Sequence, residues 1–445
     1  MNDSAFLKFT LLNIFLLFFG IAITKAQKVI FPRDFSPTEG LITPQEKPYR
    51  DEVCLNGYWE LQCVPVPSSW KGGTGIAPEL PAPQADKWET VKIKIPSAIN
   101  VNDWGRGSNV GEGTRNPYTP SSVYYPSYPD NWKHTRMGWL RKNFRVPAGW
   151  NGKRLLLHFE AVAGDCVLLV NGKEGCHNFD SHLPFNADIS DYVNRDADNE
   201  LLVGVRHTKL FDKSHPVYTK MGAIYPTGSN TDDLIGIWQD VYLFGVPEVR
   251  ITDVFVQPWV DRNKLVLEIA LTNLSSKNKK IALNGVVKEW VNHAGKDVLT
   301  APEINWSLGE TALTIPSEPI TLRAGESKTV TVRQKVDNNL KYWTPDTPNL
   351  YTLLLSLGDK KQTYDCKATR WRQLKLVGDE FQLNGKKIQC FGDIQHPFSA
   401  YICSRRFAYA WYQMIKDFGG NAVRPHAQPW PRVYYDLADE MGLMV

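Results

Sequence analysis

The sequence predicts a multidomain, mainly β protein, in which two antiparallel β-sandwiches precede a parallel α/β unit. Three observations predict it. Short alternating apolar and polar stretches recur over residues 139–206, with turn signals such as Asn151-Gly152 between them. A second series of this kind covers residues 251–367. After Gly378 the pattern changes to strands separated by helices, which is typical of a parallel α/β unit.

Composition and charge narrow the class of protein. The 445 residues give room for about two to four domains. Lys and Arg number 51 against 47 Asp and Glu, with no basic block, so nucleic acid is not an expected partner. The 15 Trp, 18 Tyr and 19 Phe favour β-sheet cores and surfaces that stack on sugar rings, and the core accounts for most of them.

The amino terminus predicts a secretory signal peptide over residues 1–26. Lys8 precedes an apolar run at residues 11–23, and Thr24-Lys25-Ala26 supplies small residues before a cleavage point at Gln27. The run is too short for an ordinary membrane span. We therefore expect a secreted, periplasmic or extracellular protein, with an uncleaved anchor helix as the alternative.

Seven cysteines remain after that cleavage, at spacings that match no zinc site. Cys54 with Cys63, and Cys166 with Cys176, could each bridge neighbouring strands in an oxidising compartment. Buried free thiols are the default expectation.

The first sandwich begins with a turn and strand at residues 55–62 and a second strand at residues 91–95, whose alternation points apolar residues to one face. A long loop follows at residues 105–134. Loops of this length are functional or disordered, and its tyrosines, Tyr118, Tyr124, Tyr125 and Tyr128, argue against plain disorder. The sandwich should end near residues 245–247.

About seven strands in residues 251–367 predict an immunoglobulin-like sandwich. The predicted strands include residues 251–256, 264–271, 280–283, 286–290, 327–332 and 350–355.

The final residues predict an alternating strand and helix series. Residues 387–391 should be a buried strand, residues 421–424 a second and residues 443–445 the start of a third. Between them, a helix at residues 404–418 should be capped by Ser404 and stopped by Gly419-Gly420, and another should cover residues 431–441. The apolar stripe of the first helix comprises Phe407, Ala410, Trp411, Met414 and Ile415.

In order and spacing, these pieces resemble glycoside hydrolase family 2, the β-galactosidase, β-glucuronidase and β-mannosidase family. The motifs that carry the resemblance are Leu55-Asn-Gly-Tyr-Trp59, Gly138-Trp-Leu-Arg-Lys-Asn-Phe-Arg-Val-Pro147, Gly236-Ile-Trp-Gln-Asp-Val-Tyr-Leu243, Trp343-Thr-Pro-Asp-Thr-Pro-Asn-Leu-Tyr351, Phe381-Gln-Leu-Asn-Gly-Lys386 and Asn421-Ala-Val-Arg-Pro-His426. The resemblance implies a jelly-roll-like sugar-binding domain at residues 27–250, an immunoglobulin-like domain at 251–370, and an incomplete start of a (β/α)8 TIM barrel at 371–445.

The chemistry that the resemblance implies is retaining hydrolysis of terminal β-glycosides, β-galactosidase-like, by an acid/base Glu and a nucleophile Glu. Members place the first after barrel strand four and the second at the end of strand seven. This sequence reaches only the third strand, so we expect both glutamates to lie beyond Val445 and the chain alone to be inactive.

The resemblance also implies a substrate-binding set. His396 follows strand one, and Arg424 and His426 end strand two, where members line the sugar subsite. Many members have Arg-Gly-x-Asn-x-His at strand one, whereas this chain has Phe391-Gly-Asp-Ile-Gln-His396. Asp393 could contact a substrate hydroxyl or replace a lost salt bridge. The alternative for these residues is a structural polar group at a barrel mouth.

Other acidic residues are weaker candidates. Asp232 and Asp233 resemble a loop that reaches the active site in some members. Glu160 and Asp165 belong to sandwich strands or turns, and Asp439 and Glu440 should be solvated at a helix end.

The expected partner is a β-linked carbohydrate, with a homo-oligomer or a complementing barrel chain left open. No cofactor is expected, apart from a structural divalent cation by family analogy. The competing hypotheses are a non-catalytic carbohydrate-binding scaffold and one half of a split glycosidase. Because two or three parallel strands cannot close a barrel, the last residues should dock on the sandwiches, bind a partner or aggregate.

Overall fold

The computed structural model describes residues 51–71, 77–100, 128–211, 235–295, 304–358, 370–395, 405–425 and 429–445. These residues form mainly antiparallel strands. The strands are β1 (Glu52–Cys54), β2 (Gly57–Val64), β3 (Ile93–Ile95), β4 (Met137–Phe144), β5 (Arg154–Phe159), β6 (Val162–Ala163), β7 (Asp165–Val170), β8 (Lys173–Phe179), β9 (Phe185–Asp188), β10 (Asn199–Arg206), β11 (Gly236–Ile237), β12 (Val241–Val246), β13 (Val249–Trp259), β14 (Lys264–Asn273), β15 (Lys279–Asn292), β16 (Trp306–Leu322), β17 (Ser327–Lys335), β18 (Leu350–Leu357), β19 (Leu374–Val377), β20 (Glu380–Leu383), β21 (Lys386–Lys387), β22 (Gly392–Gln395) and β23 (Ala422–Pro425).

Helices are few in this part of the chain. The α-helices are α1 (Arg405–Asp417) and α2 (Arg432–Met441), and the 3-10 helices are Asp130–His134, Ala148–Trp150, Thr208–Leu210 and Val260–Arg262.

The first sandwich packs a four-stranded sheet, ordered β1-β12-β5-β9, against a six-stranded sheet, ordered β3-β2-β4-β10-β7-β8. All these strands pair antiparallel, and β4 pairs with β10 over its whole length. Alternate residues of each strand enter the core, as Leu155, Leu157 and Phe159 do on β5. The predicted jelly-roll-like sandwich is confirmed.

Two predicted details of the first sandwich are wrong: the start of the strand at residues 91–95 and the alternation of its residues. Strand β3 begins only at Ile93. Val91 is exposed and Lys94 is only 8% exposed, so apolar residues do not alternate with exposed polar ones there. The Lys94 amide donates to the Tyr128 hydroxyl. Tyr128 is itself buried beside Trp132 at the end of the long loop, while the other three tyrosines named above lie outside the described residues.

The second sandwich packs a sheet ordered β13-β14-β17 against one ordered β16-β15-β18. Its core comes from the facing sides of these sheets and includes Leu267, Ile269, Val287 and Leu353. The immunoglobulin-like sandwich is therefore confirmed, with six strands in the described residues 249–295 and 304–358.

Two strand predictions fail in this sandwich. Residues 280–283 and 286–290 belong to one strand, β15, because Gly285 continues the pairing; a Cβ there would lie 2.8 Å from a Leu355 methyl carbon. Strand β16 was missed because Pro316 and Pro319 interrupt its pattern. The prolines are tolerated because β16 is at the sheet edge and its register shifts opposite Leu283 and Gly285.

A small antiparallel sheet, β19-β20-β21, leads into the α/β unit. In that unit β22 and β23 pair in parallel, and Met444 makes a parallel bridge with Ala422. With α1 after β22 and α2 after β23, the order is strand, helix, strand, helix, strand, which confirms the predicted start of a parallel α/β fold.

The details of this unit differ from prediction. Residues 387–391 do not form a buried strand; the parallel strand is β22, four residues of largely exposed chain. On α1, Met414 is 59% exposed, and the buried side comprises Ala408, Tyr409, Trp411, Tyr412 and Ile415. The stop at Gly419 is confirmed, with φ +83°. Ser404 lies outside the described residues.

The described cysteines are free thiols. Cys54 and Cys63 lie in different sheets, and Cys166 lies opposite Asn178 rather than Cys176, so neither predicted bridge forms. Burial raises the pKa of the Cys54 and Cys63 thiols to about 12. Cys390 departs from the default expectation because its thiol is exposed.

Candidate functional site

The candidate site lies where the two parallel strands end. Strands β22 and β23 pair in register, with Ile394 opposite Arg424 and Gln395 opposite Pro425. Because parallel strands present their carboxyl ends at one edge, side chains there can act on one ligand. His396 and His426 follow these ends in sequence and lie outside the described residues, so their placement stays a prediction.

The two faces of this strand pair differ. Val423 is 5% exposed and packs with α1 and α2, so odd-numbered residues face the helices. Ile394 and Arg424 face the other side, where Ile394 is 42% exposed and Arg424 is exposed. In a (β/α)8 barrel the side away from the helices is the interior, and active sites lie at the carboxyl-terminal face of the strands. A contact of the Arg424 guanidinium with substrate stays a prediction.

Asp393 belongs to the helix-facing side. Its Oδ2 accepts a hydrogen bond from Trp411 Nε1 of α1 at 3.0 Å, and its Oδ1 accepts one from the amide of Ile394 at 2.7 Å. The structure therefore does not bring Asp393 together with Arg424. A contact of Asp393 with substrate stays a prediction, and its observed partner is a helix rather than the salt bridge considered above.

Strand β23 is held on its second side by the chain that follows α2. Val423 donates its amide to the Met444 carbonyl at 2.8 Å, and Met444 donates to the Asn421 carbonyl at 2.9 Å. Arg424 thus extends from the middle of three adjacent parallel segments, where the backbone is paired on both sides.

Two carboxylates of α2 correct the sequence prediction. Asp439 and Glu440 were expected to be solvated, but both are buried in ion pairs: Arg370 donates to both oxygens of Asp439, and Arg405 donates to both oxygens of Glu440. The Glu440 side chain is 3% exposed. Burial raises the pKa of the Asp439 carboxyl, while Arg370 acts in the opposite direction.

Little in the sequence could have revealed these pairs. Asp439 adjoins the apolar stripe of α2, formed by Tyr434, Leu437 and Ala438, which is a weak signal for burial. Its partner is 69 residues away, and the partner of Glu440 is 35 residues away. Glu160 and Asp165 lie in the first sandwich, as predicted.

Other expected features have no described counterpart. Asp232 and Asp233 lie outside the described residues. Within the described ranges, no three His, Cys, Asp or Glu side chains come together in a way that could hold a metal ion. The structural divalent cation therefore stays a prediction. In the same part of the chain, neither α1 nor α2 has the length and apolar character of a membrane-crossing helix.

Two β-sandwiches followed by parallel strands, with a cationic side chain near their carboxyl ends, are the arrangement that the resemblance to glycoside hydrolase family 2 implied. The family models agree. Residues 54–247 match "Glycosyl hydrolases family 2, sugar binding domain", and residues 249–371 match "Glycosyl hydrolases family 2". The chain belongs to glycosyl hydrolases family 2.

Individual relatives are distant but cover most of the chain. A β-galactosidase of Priestia megaterium is 22% identical over 437 residues, which are 96% of this chain and 38% of that protein. The Bacteroides uniformis β-glucuronidase structure has a TM-score of 0.62 at 20% identity and covers 88% of this chain and 41% of that one. A family 2 β-galacturonidase from Eisenbergiella tayi bound to galacturonate has a TM-score of 0.62 at 18% identity, covering 89% and 57%. The chain thus spans well under two thirds of these relatives.

Proposed function

We propose that this chain supplies the two sandwiches and the first barrel strands of an exported glycosidase that hydrolyses terminal β-glycosides, β-galactosides first among them, with retention. The observation that carries the proposal is the placement of Arg424, an exposed cation at the carboxyl end of β23, on the side away from the helices. Family membership supports the reaction class.

Arg424 has a defined task in this proposal. A guanidinium donates in a planar fork, so it can hold a carboxylate or two sugar hydroxyls in one orientation. His396 and His426 would each donate to one hydroxyl and accept from another as neutral imidazoles. The acid/base and nucleophile would be glutamates about 5 Å apart, supplied by residues beyond this sequence.

Neither Glu440 nor Glu160 suits that catalytic role. Glu440 is committed to Arg405, and Glu160 contacts His158 on the first sandwich at 3.2 Å. A scaffold made only of two sandwiches is disfavoured because α1, α2 and their strands pack into an ordered third unit.

We propose export through residues 1–26, and amino-terminal sequencing of the secreted protein should begin at Gln27.

The proposed reaction is tested on the protein from the complete reading frame at the source locus. The frame should continue past codon 445 and encode an Asn-Glu pair after the fourth strand and a second Glu near the seventh. The purified protein should release nitrophenol from nitrophenyl β-galactoside, and proton NMR should show the β-anomer first. A stop codon at position 446, or an inverted product, would contradict the proposal.

Matched substrates and variants sharpen the result. Nitrophenyl β-galactoside, β-glucuronide and β-galacturonide share one leaving group, so their relative kcat/KM values report the sugar alone. Arg424→Ala should lower kcat/KM by about 10- to 100-fold, the effect of one charge-assisted hydrogen bond worth about 1.5–3 kcal/mol. Arg424→Lys should lose less. Arg145→Ala, in an exposed ion pair of the first sandwich, is the control.

A further inference from the structure

We propose that the second sandwich positions the sugar pocket: residues 343–349, here called the Trp343 loop, hold the end of α2 and thereby set β23 and Arg424. The proposal rests on the proposed function for its activity test. Its geometric part stands on contacts within the described residues.

The Trp343 loop is itself rigidly built. Trp343 is fully buried, donates its amide to the Trp371 carbonyl at 3.0 Å and forms a bridge with Pro348. Across the turn, the Thr344 and Thr347 hydroxyls lie 2.8 Å apart. A loop closed by its own hydrogen bonds has few alternative conformations, so it can transmit a position.

This loop holds α2 at its carboxyl end. Trp343 Nε1 donates to the Asp439 carbonyl at 2.9 Å, within the last turn of α2, where helix carbonyls otherwise lack partners. Gly442 ends the helix at φ +75°, and its backbone lies so close to the Pro345 carbonyl that a Cβ would collide with it. From α1, Lys416 Nζ donates to the same Pro345 carbonyl at 2.8 Å.

Two arginine side chains strengthen the contact between the Trp343 loop region and the end of α2. Arg370, which follows the second sandwich, donates to both carboxylate oxygens of Asp439, and its neighbour Arg372 stacks 4.4 Å from the Trp343 ring centroid. Asp439 is thus held twice, by its carbonyl through Trp343 and by its carboxylate through Arg370. One contact is to the backbone of Asp439 and the other is to its side chain. Together they restrain the position of the helix end along its axis and its rotation about that axis.

The path from this end to the pocket is short. Met444 is two residues beyond Gly442 and lies in one apolar cluster with Trp343, Trp290 and Trp306. Its backbone exchanges hydrogen bonds with Asn421 and Val423. Arg424 is the next residue of β23. A displaced helix end would therefore displace the strand that carries Arg424, and a misplacement of about 1 Å near reacting groups can cost about 100-fold in rate.

The geometric part is tested by hydrogen exchange on the 445-residue chain. Trp343→Phe keeps an aromatic side chain but removes the N–H donor together with the pyrrole part of the indole; we expect the Val423 and Met444 amides to exchange at least about tenfold faster, with the β4 and β10 amides unchanged. Gly442→Ala should likewise make the Val423 and Met444 amides exchange faster. Gly419→Ala is the matched control, because Gly419 also ends a helix at positive φ but has open space around its Cβ position. Equal exchange in all variants would overturn the proposal.

The functional part is tested by a double-mutant cycle on the protein from the complete reading frame. Trp343→Phe should lower kcat/KM about 5- to 10-fold when Arg424 is present and less than about twofold in the Arg424→Ala background, because the loop acts through Arg424. A purely structural role predicts equal factors in both backgrounds and overturns the proposal. A wild-type protein without glycosidase activity overturns the proposed function instead, and the exchange experiment then decides the positioning claim.

Discussion

The sandwiches and the α/β unit are stabilised in different ways. Most of the core of each sandwich comes from residues of its own antiparallel strands. The α/β unit depends on a contact from outside: the buried carboxylate of Asp439 is paired with Arg370, which precedes the unit in the chain. Its strand β22 leaves Ile394 and its flank Phe391 exposed.

The two regions differ in whether local or distant contacts determine their folds. A sandwich strand needs only its neighbours, so its position follows from local alternation and turns. The α/β unit takes its orientation from contacts made by Trp343, Pro345 and Arg370 to the end of α2 and α1. We therefore expect the sandwiches to tolerate changes that dislodge the α/β unit.

The largest effect should come from breaking the buried pair inside the α/β unit. Glu440→Ala leaves the Arg405 guanidinium buried without its carboxylate, which typically costs about 3–5 kcal/mol. Native-state hydrogen exchange should show a lower opening free energy for α1 and α2, with β4 and β10 unaffected. Asp198→Ala, which breaks the exposed pair with Arg145, is the control and should change neither region. Equal losses in both regions would contradict the comparison.

A half-buried carboxyl in the first sandwich offers a pH test of the same contrast. Asp240 has neutral donors, Tyr242 and Asn56, and burial raises its pKa to about 6 from 3.8. Because its folded pKa is raised, its contribution to stability is complete below about pH 4 and is lost as the pH rises through about 6.

Asp240→Asn removes this titration. Relative to wild type, the variant should gain about 2.5 kcal/mol in opening free energy of β5 and β12 between pH 4 and pH 8, because the pKa of Asp240 is about 6 in the folded protein against an ordinary value of 3.8. A pH-independent difference between the two proteins would refute the assignment.

The smallest expected effect is the difference in cost between glycine-to-alanine substitutions at the carboxyl ends of α1 and α2, which differ in what they contact. Gly419→Ala should cost about 1–2 kcal/mol from its positive φ alone. Gly442→Ala should cost more, since its Cβ also collides with the Pro345 carbonyl. Opening free energies of α1 and α2 from hydrogen exchange make the comparison. Equal costs would mean that the Trp343 loop does not constrain α2.

The same difference between the sandwiches and the α/β unit decides how much of each fold can be predicted from the sequence. Strands β5 and β7 lie within the alternating stretches predicted over residues 139–206, because alternation and Asn-Gly turns specify them locally. Strand β16 was missed because its prolines are accommodated by a register shift, a property of pairing rather than of composition. Family motifs placed Arg424 correctly at a strand end.

Contacts at long range were not predictable. The pairing of Arg370 with Asp439 depends on how the α/β unit lies on the second sandwich, and no local pattern encodes it. The hydrogen bond from Trp411 to Asp393 likewise depends on the packing of α1 over β22. The motif therefore predicted a substrate contact or a replaced salt bridge for Asp393 without revealing its helix-facing side.

The most direct measurement compares amide hydrogen exchange in two fragments, residues 249–445 and residues 370–445. If the second sandwich orders the α/β unit, the amides of Val423 and Met444 will be protected in the longer fragment and will exchange at unfolded-chain rates in the shorter one. Equal protection in both fragments would show that the α/β unit folds by itself, and would contradict the account.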